Sequence, residues 1–200
     1  MQRKISAGIL AGGKSSRMGE NKAFLEFGEE PFLYRISRIC SRHEDILISV
    51  DDLKKYPDLP YPAVADEKQG FGPLEGIYQL LSHVKHPYCL IVATDMPLLT
   101  EEFLSAFEDR LTGTEDCMIL RVGGRIHPLC GVYKKTVIPV LEQMRRQELH
   151  KIRLLYERVN TTYMDLEELG FSADIVENIN TPREYETLTE HRGCADEKAE

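Results

Sequence analysis

The sequence predicts an α/β protein of three layers, a mainly parallel central sheet with helices on both faces and a small mixed region containing a β-hairpin in its second half. Three observations predict it. Apolar runs alternate with amphipathic stretches through the first two-thirds of the chain, the pattern of strand–helix–strand units. Three of those runs, "KISAGILA", "DILISV" and "YCLIVATD", have the length and apolar content of buried strands. Beyond Thr112 the alternation gives way to two apolar runs meeting at Gly123-Gly124, a hairpin signal.

Each element has its own warrant. "KISAGILA" (4–11) is a buried strand running into a Gly/Ser loop, and "PFLYRISRIC" (31–40) has apolar residues at helical spacing with Pro near its start. "DILISV" (45–50) and the short "YPAVAD" (61–66) follow as strands. "GPLEGIYQLLSHV" (72–84) is a loop entering a helix, again with Pro in its first turn. "YCLIVATD" (88–95) is the clearest strand, six apolar or β-prone residues ending at a turn. "EEFLSAFEDRL" (101–111) is a helix with acids in its first turn and Arg near its last, the order that suits the helix dipole. "DCMILRVGGRIHPLCGVY" (116–133) forms the hairpin, and "TVIPVLEQMRRQ" (136–147) and "HKIRLLYERV" (150–159) are helical. "TTYMDL" (161–166) and "DIVENIN" (174–180) are expected as late short strands. "TPREYETLTEH" (181–191) is a helix with Thr181 at the N-cap, Pro182 at N1 and Glu184 closing a capping box. The last eight residues, "GCADEKAE", are expected to be a frayed polar tail. With no linker, repeat or low-complexity block, the 200 residues suit one domain with a single core.

Composition excludes several classes. A net charge of -8 with no basic run longer than two residues argues against binding nucleic acid through its backbone charge. Five scattered cysteines without a C-x-x-C pair argue against a disulfide framework or zinc site, and Cys89, inside an apolar run, is core filling. No apolar stretch approaches a membrane span, and no signal-peptide h-region is evident, so a cytoplasmic protein is expected.

In a doubly wound sheet, ligands sit beyond the carboxyl ends of the strands. This directs attention to residues 12–22, Asp51, 66–72, Asp95 and 178–181. "GILAGGKS" matches the phosphate-loop pattern G-x-x-x-x-G-K-[ST] letter for letter. The match fails physically. It would move Ile9 and Leu10 from a buried strand into a loop, forgoing roughly 1.5–3 kcal/mol of burial each. It also needs a helix starting at Lys14-Ser15, which Gly19 breaks after about one turn. No D-x-x-G or N-K-x-D motif follows. With the strand ending at Leu10, the loop is "AGGKSSRMGENK". Gly12 and Gly13 let backbone N–H groups close on phosphate, while Lys14, Arg17 and Lys22 suit a triphosphate. A solvated loop with incidental charges is the plain alternative.

"LAGGKSSRMGENKAFLEFGEEPFL" resembles the signature of nucleotidyltransferases with a Rossmann-like fold, L-A-G-G-x-x-x-R-M-G-x-x-K followed by a turn into a helix. Among these it is most similar to the molybdenum cofactor guanylyltransferases. "GPLEGI" (72–77), "ATDMPLL" (93–99) and "NINTPREY" (178–185) support that choice, in order, across most of the chain. "EEPF" departs from the commoner G-K-P-L turn, and the acidic tail has no counterpart. The resemblance implies transfer of GMP from GTP to molybdopterin carrying molybdenum, with pyrophosphate leaving and Mg2+ assisting. Cytidylyl or sugar-phosphate nucleotidyl transfer on the same fold, and a nucleotide-binding switch, are the other readings.

The residues divide accordingly. Asp95 suits a magnesium ligand, or alternatively an N-cap or turn before Pro97; Arg17 and Lys22 suit charge neutralisation at the triphosphate, and Lys14 less specifically so. Leu10, Ala11, Gly12, Gly13, Asp51, Asp66 and Gly72 are expected around the nucleotide, Asp66 being equally suited to an Asx-turn and Gly72 and Gly76 to helix initiation. Asn178 and Asn180 suit the metal or the pterin phosphate, or shape the turn before Thr181; Arg125 and His127 suit contacts on the pterin side, although a lone histidine such as His127 more often has a structural role. By this reading about residues 1–110 bind nucleotide, 111–191 bind the acceptor and 192–200 form the tail. The partners implied are GTP, molybdopterin and, transiently, cofactor-delivery or acceptor proteins, for a monomer or weak homo-oligomer with no nucleic acid or membrane involved.

Overall fold

The computed structural model describes residues 4–12 and 21–196. The chain opens with β1 (Ile5–Leu10) and re-enters through a 3-10 turn (Lys22–Phe24) and a two-residue ladder of β2 (Glu26–Phe27) with β3 (Glu30–Pro31). Then come α1 (Phe32–Ile39), β4 (Ile46–Val50), β5 (Ala63–Ala65), α2 (Pro73–His83), β6 (Tyr88–Ala93) and α3 (Glu101–Glu108). The second half contains β7 (Cys117–Val122), β8 (Arg125–Lys134), α4 (Ile138–Arg146), α5 (Arg153–Tyr156), β9 (Thr161–Asp165), α6 (Leu166–Leu169) and α7 (Pro182–Asp196).

Seven strands form one sheet in the order β5-β4-β1-β6-β8-β7-β9. β8 runs antiparallel to both its neighbours, and every other pairing is parallel. β1 lies between β4 and β6, with Leu10 opposite Ser49 on one side and Ala93 on the other. β4 and β6 are buried along their whole length, as central strands covered on both faces must be. The crossovers β1-to-β4 and β5-to-β6 travel in opposite directions along the sheet. Right-handed connections therefore place α1 and α2 on opposite faces. Small residues let α2 approach: a Cβ on Gly8 would lie 2.8 Å from Leu80 Cδ1, and one on Gly76 only 2.4 Å from Leu10 Cδ2. One hydrophobic cluster runs through both halves of the chain, with Cys89 fully buried in it as expected.

The hairpin turns at Gly123-Gly124, both at positive φ. Its register jumps between Ile119 and Leu120, which face Gly131 and His127, so Pro128–Cys130 bulge out of the ladder. The Tyr133 hydroxyl, hydrogen-bonded to the Pro128 carbonyl at 2.6 Å and to the Tyr156 hydroxyl at 2.7 Å, braces that bulge.

Three expectations need correction. "DIVENIN" is not a strand: Ala173–Val176 form a 3-10 turn, and the segment beyond is held by Ile179 N–H donating to the Asp95 carbonyl (2.8 Å). Its apolar residues are buried, Ile175 and Val176 in the main core and Ile179 in a second cluster with Phe27 and Phe32, without joining a ladder. The helix expected over 150–159 shrinks to the single turn of α5, because the chain must reverse at once to enter β9 beside β7. The terminal helix α7 continues through Asp196, past the expected start of the tail; residues 197–200 lie outside the described residues.

Candidate functional site

The carboxyl ends of β5, β4, β1 and β6 form one edge of the sheet. β1 ends as expected at Leu10, and Ala11 and Gly12 both donate their N–H to the Ser49 carbonyl, at 2.9 and 3.2 Å. Thr94 N–H donates to the Leu10 carbonyl at 3.1 Å, so the exits of β4, β1 and β6 are stitched side by side. Gly12 is required by this closeness: a Cβ there would sit 2.6 Å from the Asp51 nitrogen and 3.0 Å from the Val50 carbonyl carbon. Gly13, Lys14 and Arg17 lie outside the described residues.

Where the chain returns, Asn21 caps the 3-10 turn by accepting from Ala23 N–H (3.2 Å) and so presents Lys22 inward. The Lys22 ammonium donates to Asn180 Oδ1 at 2.7 Å, across 158 residues of sequence. Asn180 is itself held by the capping box of α7. Glu184 Oε2 accepts from the N–H groups of Asn180 (2.6 Å) and Thr181 (3.0 Å), and Thr181 Oγ1 accepts from Glu184 N–H (3.3 Å). Asp95 stands next to them, its carbonyl tied to Ile179. Its Oδ1 is buried without a hydrogen-bond partner among the described residues. Burial pushes the Asp95 carboxyl up, and the Lys22 charge pulls it only part of the way back. Three residues singled out in sequence thus converge, whereas Asn178 is exposed beside them.

On the β4–β5 side, Asp66 N–H donates to the Val50 carbonyl at 2.9 Å. Burial, reinforced by the charges of Glu75 and Asp51, lifts the Asp66 carboxyl to about 6. Asp51 pairs with Lys55 at 2.5 Å, and its carbonyl accepts from Gln69 (3.2 Å). Gly72 is the N-cap of α2 at φ 69°, ψ −155°, a conformation essentially reserved for glycine.

Residues 7–162 match the MobA-like NTP transferase domain. The chain belongs to this family. A probable molybdenum cofactor guanylyltransferase of Clostridium perfringens is 34% identical over 193 residues, covering 92% of this chain and 96% of that one. The molybdenum cofactor guanylyltransferase of Vibrio vulnificus is 32% identical over 183 residues, covering 88% and 90%. The fold is that of molybdopterin-guanine dinucleotide biosynthesis protein A from Archaeoglobus fulgidus (TM-score 0.82, 23% identity, 94% and 98% covered). It also resembles 4-diphosphocytidyl-2C-methyl-D-erythritol synthase from Anaerococcus prevotii (TM-score 0.71, 14% identity, 96% and 97% covered).

In this MobA-like transferase the strand exits are also joined by a residue that the motifs do not mark. Tyr56, buried on the β4–β5 connection, donates its hydroxyl to the Ala11 carbonyl at 2.8 Å and reaches Asn21 Oδ1 at 3.5 Å. One phenol therefore touches both ends of the segment between β1 and Lys22. Burial pushes its pKa up to about 12, so it stays a donor. The only hint in sequence is an aromatic residue in the mostly charged "DDLKKYPD". Among the described residues no three His, Cys, Asp or Glu side chains converge into a protein-built metal cage. A single buried, unpartnered carboxylate oxygen on Asp95 fits Mg2+ nonetheless, since that ion keeps waters and takes its remaining ligands from substrate phosphates. At the same edge in the second half, Arg125 is exposed at the hairpin and His127 is half-buried, its pKa lowered by desolvation.

Proposed function

We propose that this chain transfers the GMP unit of GTP to the terminal phosphate of molybdopterin, forming the guanine dinucleotide cofactor and releasing pyrophosphate. The observation that carries the reading is the convergence of Lys22, Asn180 and Asp95 at the sheet's carboxyl edge, in a family whose relatives are named molybdenum cofactor guanylyltransferases. An oxygen of the acceptor phosphate forms a bond to the α-phosphorus. The bond from that phosphorus to the oxygen bridging to the β-phosphate breaks, and pyrophosphate leaves with the electron pair. The molybdenum travels as cargo.

Such a transfer demands positioning and charge neutralisation, with no activated side-chain nucleophile. Asn180 accepts a hydrogen bond from the Lys22 ammonium and so fixes it at the sheet's carboxyl edge, where a cation suits the α-phosphate and the departing pyrophosphate. Asp95 would hold Mg2+, which when bound neutralises phosphate charge and orients the reacting phosphate. Arg17, Lys14 and Gly13 complete the triphosphate-binding loop in this reading. Leu10, Ala11, Gly12, Asp51, Asp66 and Gly72 border the guanosine, and Asn178, Arg125 and His127 face the pterin side. The reaction belongs in the cytoplasm, in keeping with the four cysteines that are free and buried among the described residues.

Asp95→Asn tests the proposal. Pyrophosphate release falls at least about 100-fold, the scale of losing metal-assisted charge stabilisation, while the melting temperature holds; near-wild-type turnover overturns the reading. With Mg2+ present, GTP at 100 times its Kd stabilises the wild type by about 2.7 kcal/mol. An equal shift by CTP at the same concentration removes the guanine assignment.

A further inference from the structure

Glu75 is fully buried, although it stands in the first turn of α2 where an acid usually faces water. Its Oε1 accepts from the backbone N–H groups of Glu67 (3.3 Å) and Lys68 (3.2 Å), from Gln79 Nε2 (2.9 Å) and from Arg145 Nη2 (2.9 Å). Its Oε2 lies 2.8 Å from Arg145 Nε, an ion-pair contact in which neither atom has a hydrogen-bond partner among the described residues. Arg145, near the end of α4, stacks over Tyr78 with its guanidinium carbon 4.1 Å from the ring centroid. The same turn grips the 67–71 segment again. The Lys68 ammonium donates to the Arg145 carbonyl (2.7 Å) and to Glu148 Oε1 (2.5 Å), and Phe71 packs on His150 with ring centroids 4.7 Å apart. Glu148 is at φ 56°, the one described non-glycine residue with positive φ, so this turn takes a conformation that most side chains avoid.

These contacts share one effect. The segment between β5 and α2 begins at Asp66 and ends at Gly72, and both are assigned to the nucleotide. Its middle is fastened to α2 through Glu75 and to the α4–α5 turn through Arg145. A buried ion pair is retained at a desolvation cost that a hydrophobic pair would avoid; what Glu75 adds is directed hydrogen bonding, through Oε1, to two loop amides. We propose that Glu75 and Arg145 are positioning residues for GTP, setting the Asp66 loop in its binding geometry and tying nucleotide affinity to the second half of the chain. The inference rests on the reading that Asp66 contacts the nucleotide, and its test separates the two.

The test compares wild type, Glu75→Gln, the double variant Glu75→Gln/Arg145→Met, Asp66→Ala, and that double variant combined with Asp66→Ala. GTP affinity is measured by titration calorimetry and turnover by pyrophosphate release. The double variant leaves no unpaired buried charge, and Glu75→Gln, nearly isosteric, serves if the double variant does not fold. Expected is an increase of about tenfold in the Kd for GTP, equivalent to about 1.4 kcal/mol, with kcat within about threefold of wild type. In the Asp66→Ala background the same changes add little further, because residues acting through one loop are non-additive. Wild-type Kd in the folded variants overturns the proposal, as does an increase that adds in full to that of Asp66→Ala. Loss of kcat at unchanged Kd overturns it too. If Asp66→Ala alone leaves the Kd unchanged, the assignment of Asp66 fails, and with it the mode of action proposed for the pair.

Discussion

Gly12→Ala perturbs the site through one methyl group placed against backbone. The added Cβ lies 2.6 Å from the Asp51 nitrogen, about 0.8 Å short of the 3.4 Å at which ordinary contact begins, and 3.0 Å from the Val50 carbonyl carbon. Neither neighbour can rotate away, so the exits of β1 and β4 must separate. That strains the Gly12-to-Ser49 hydrogen bond, already 3.2 Å long, and displaces Asp51. Overpacking of this kind costs about 1–3 kcal/mol, which for a chain of this size lowers the melting temperature by roughly 2–12 °C. The nucleotide loop is re-aimed as well, so the Kd for GTP is expected to increase about tenfold, an extra cost of about 1.4 kcal/mol. Gly76→Ala is the matched control. Its closest clash, 2.4 Å, is with the movable Leu10 Cδ2, although Ser49 Oγ stands at 3.0 Å. Alanine also gains up to about 1 kcal/mol of helix propensity over glycine, so this variant loses less stability than Gly12→Ala. Differential scanning calorimetry with GTP titration reads both. A Gly12→Ala protein with wild-type melting temperature and GTP affinity refutes the argument that backbone closeness at the strand exits builds the site.

Other outcomes follow from the same geometry. Because the Asp66 carboxyl is raised from 3.8 to about 6, its unfolded form loses the proton first as pH rises; the folded state is penalised through the window from about 4 to 6 and the penalty stays constant above it. The melting temperature of Asp66→Asn relative to wild type should therefore climb between pH 4 and 7 and then level off, and a flat difference across that range would remove the shift. Tyr56→Phe loses the hydrogen bond to Ala11 and leaves that carbonyl unpaired, a cost of about 1–3 kcal/mol by chemical denaturation; an unchanged midpoint and GTP affinity would deny Tyr56 its clamp. Glu184→Ala removes the acceptor for the Asn180 and Thr181 amides, costing about 0.5–2 kcal/mol of stability and lowering kcat through misplacement of Asn180; stability loss at full turnover would make Glu184 a helix cap only.

Periodicity and strand-end logic were sufficient to find the parallel core, its hairpin extension and the residues beyond the strand ends. Those features are local: a run of apolar residues is a strand wherever it docks, and the Thr181–Glu184 capping box reports its own backbone. "DIVENIN" misled because Ile175, Val176 and Ile179 are buried for a reason that alternation cannot distinguish from strand pairing. Ile175 and Val176 join the main core and Ile179 clusters with Phe27 and Phe32, while the backbone turns to deliver Asn180.

By itself, then, the sequence determined most of the strand and helix segments and the nomination of Gly12, Gly72, Lys22, Asp95 and Asn180. Only the tertiary structure decided that Lys22 meets Asn180 across 158 residues, that Tyr56 joins the two ends of the nucleotide loop, and that Glu75 turns inward to meet Arg145. The physical reason is range. Burial and backbone conformation are dictated by neighbours a few residues away, whereas a charged or polar side chain acquires its partner from whichever strand end the sheet order brings beside it.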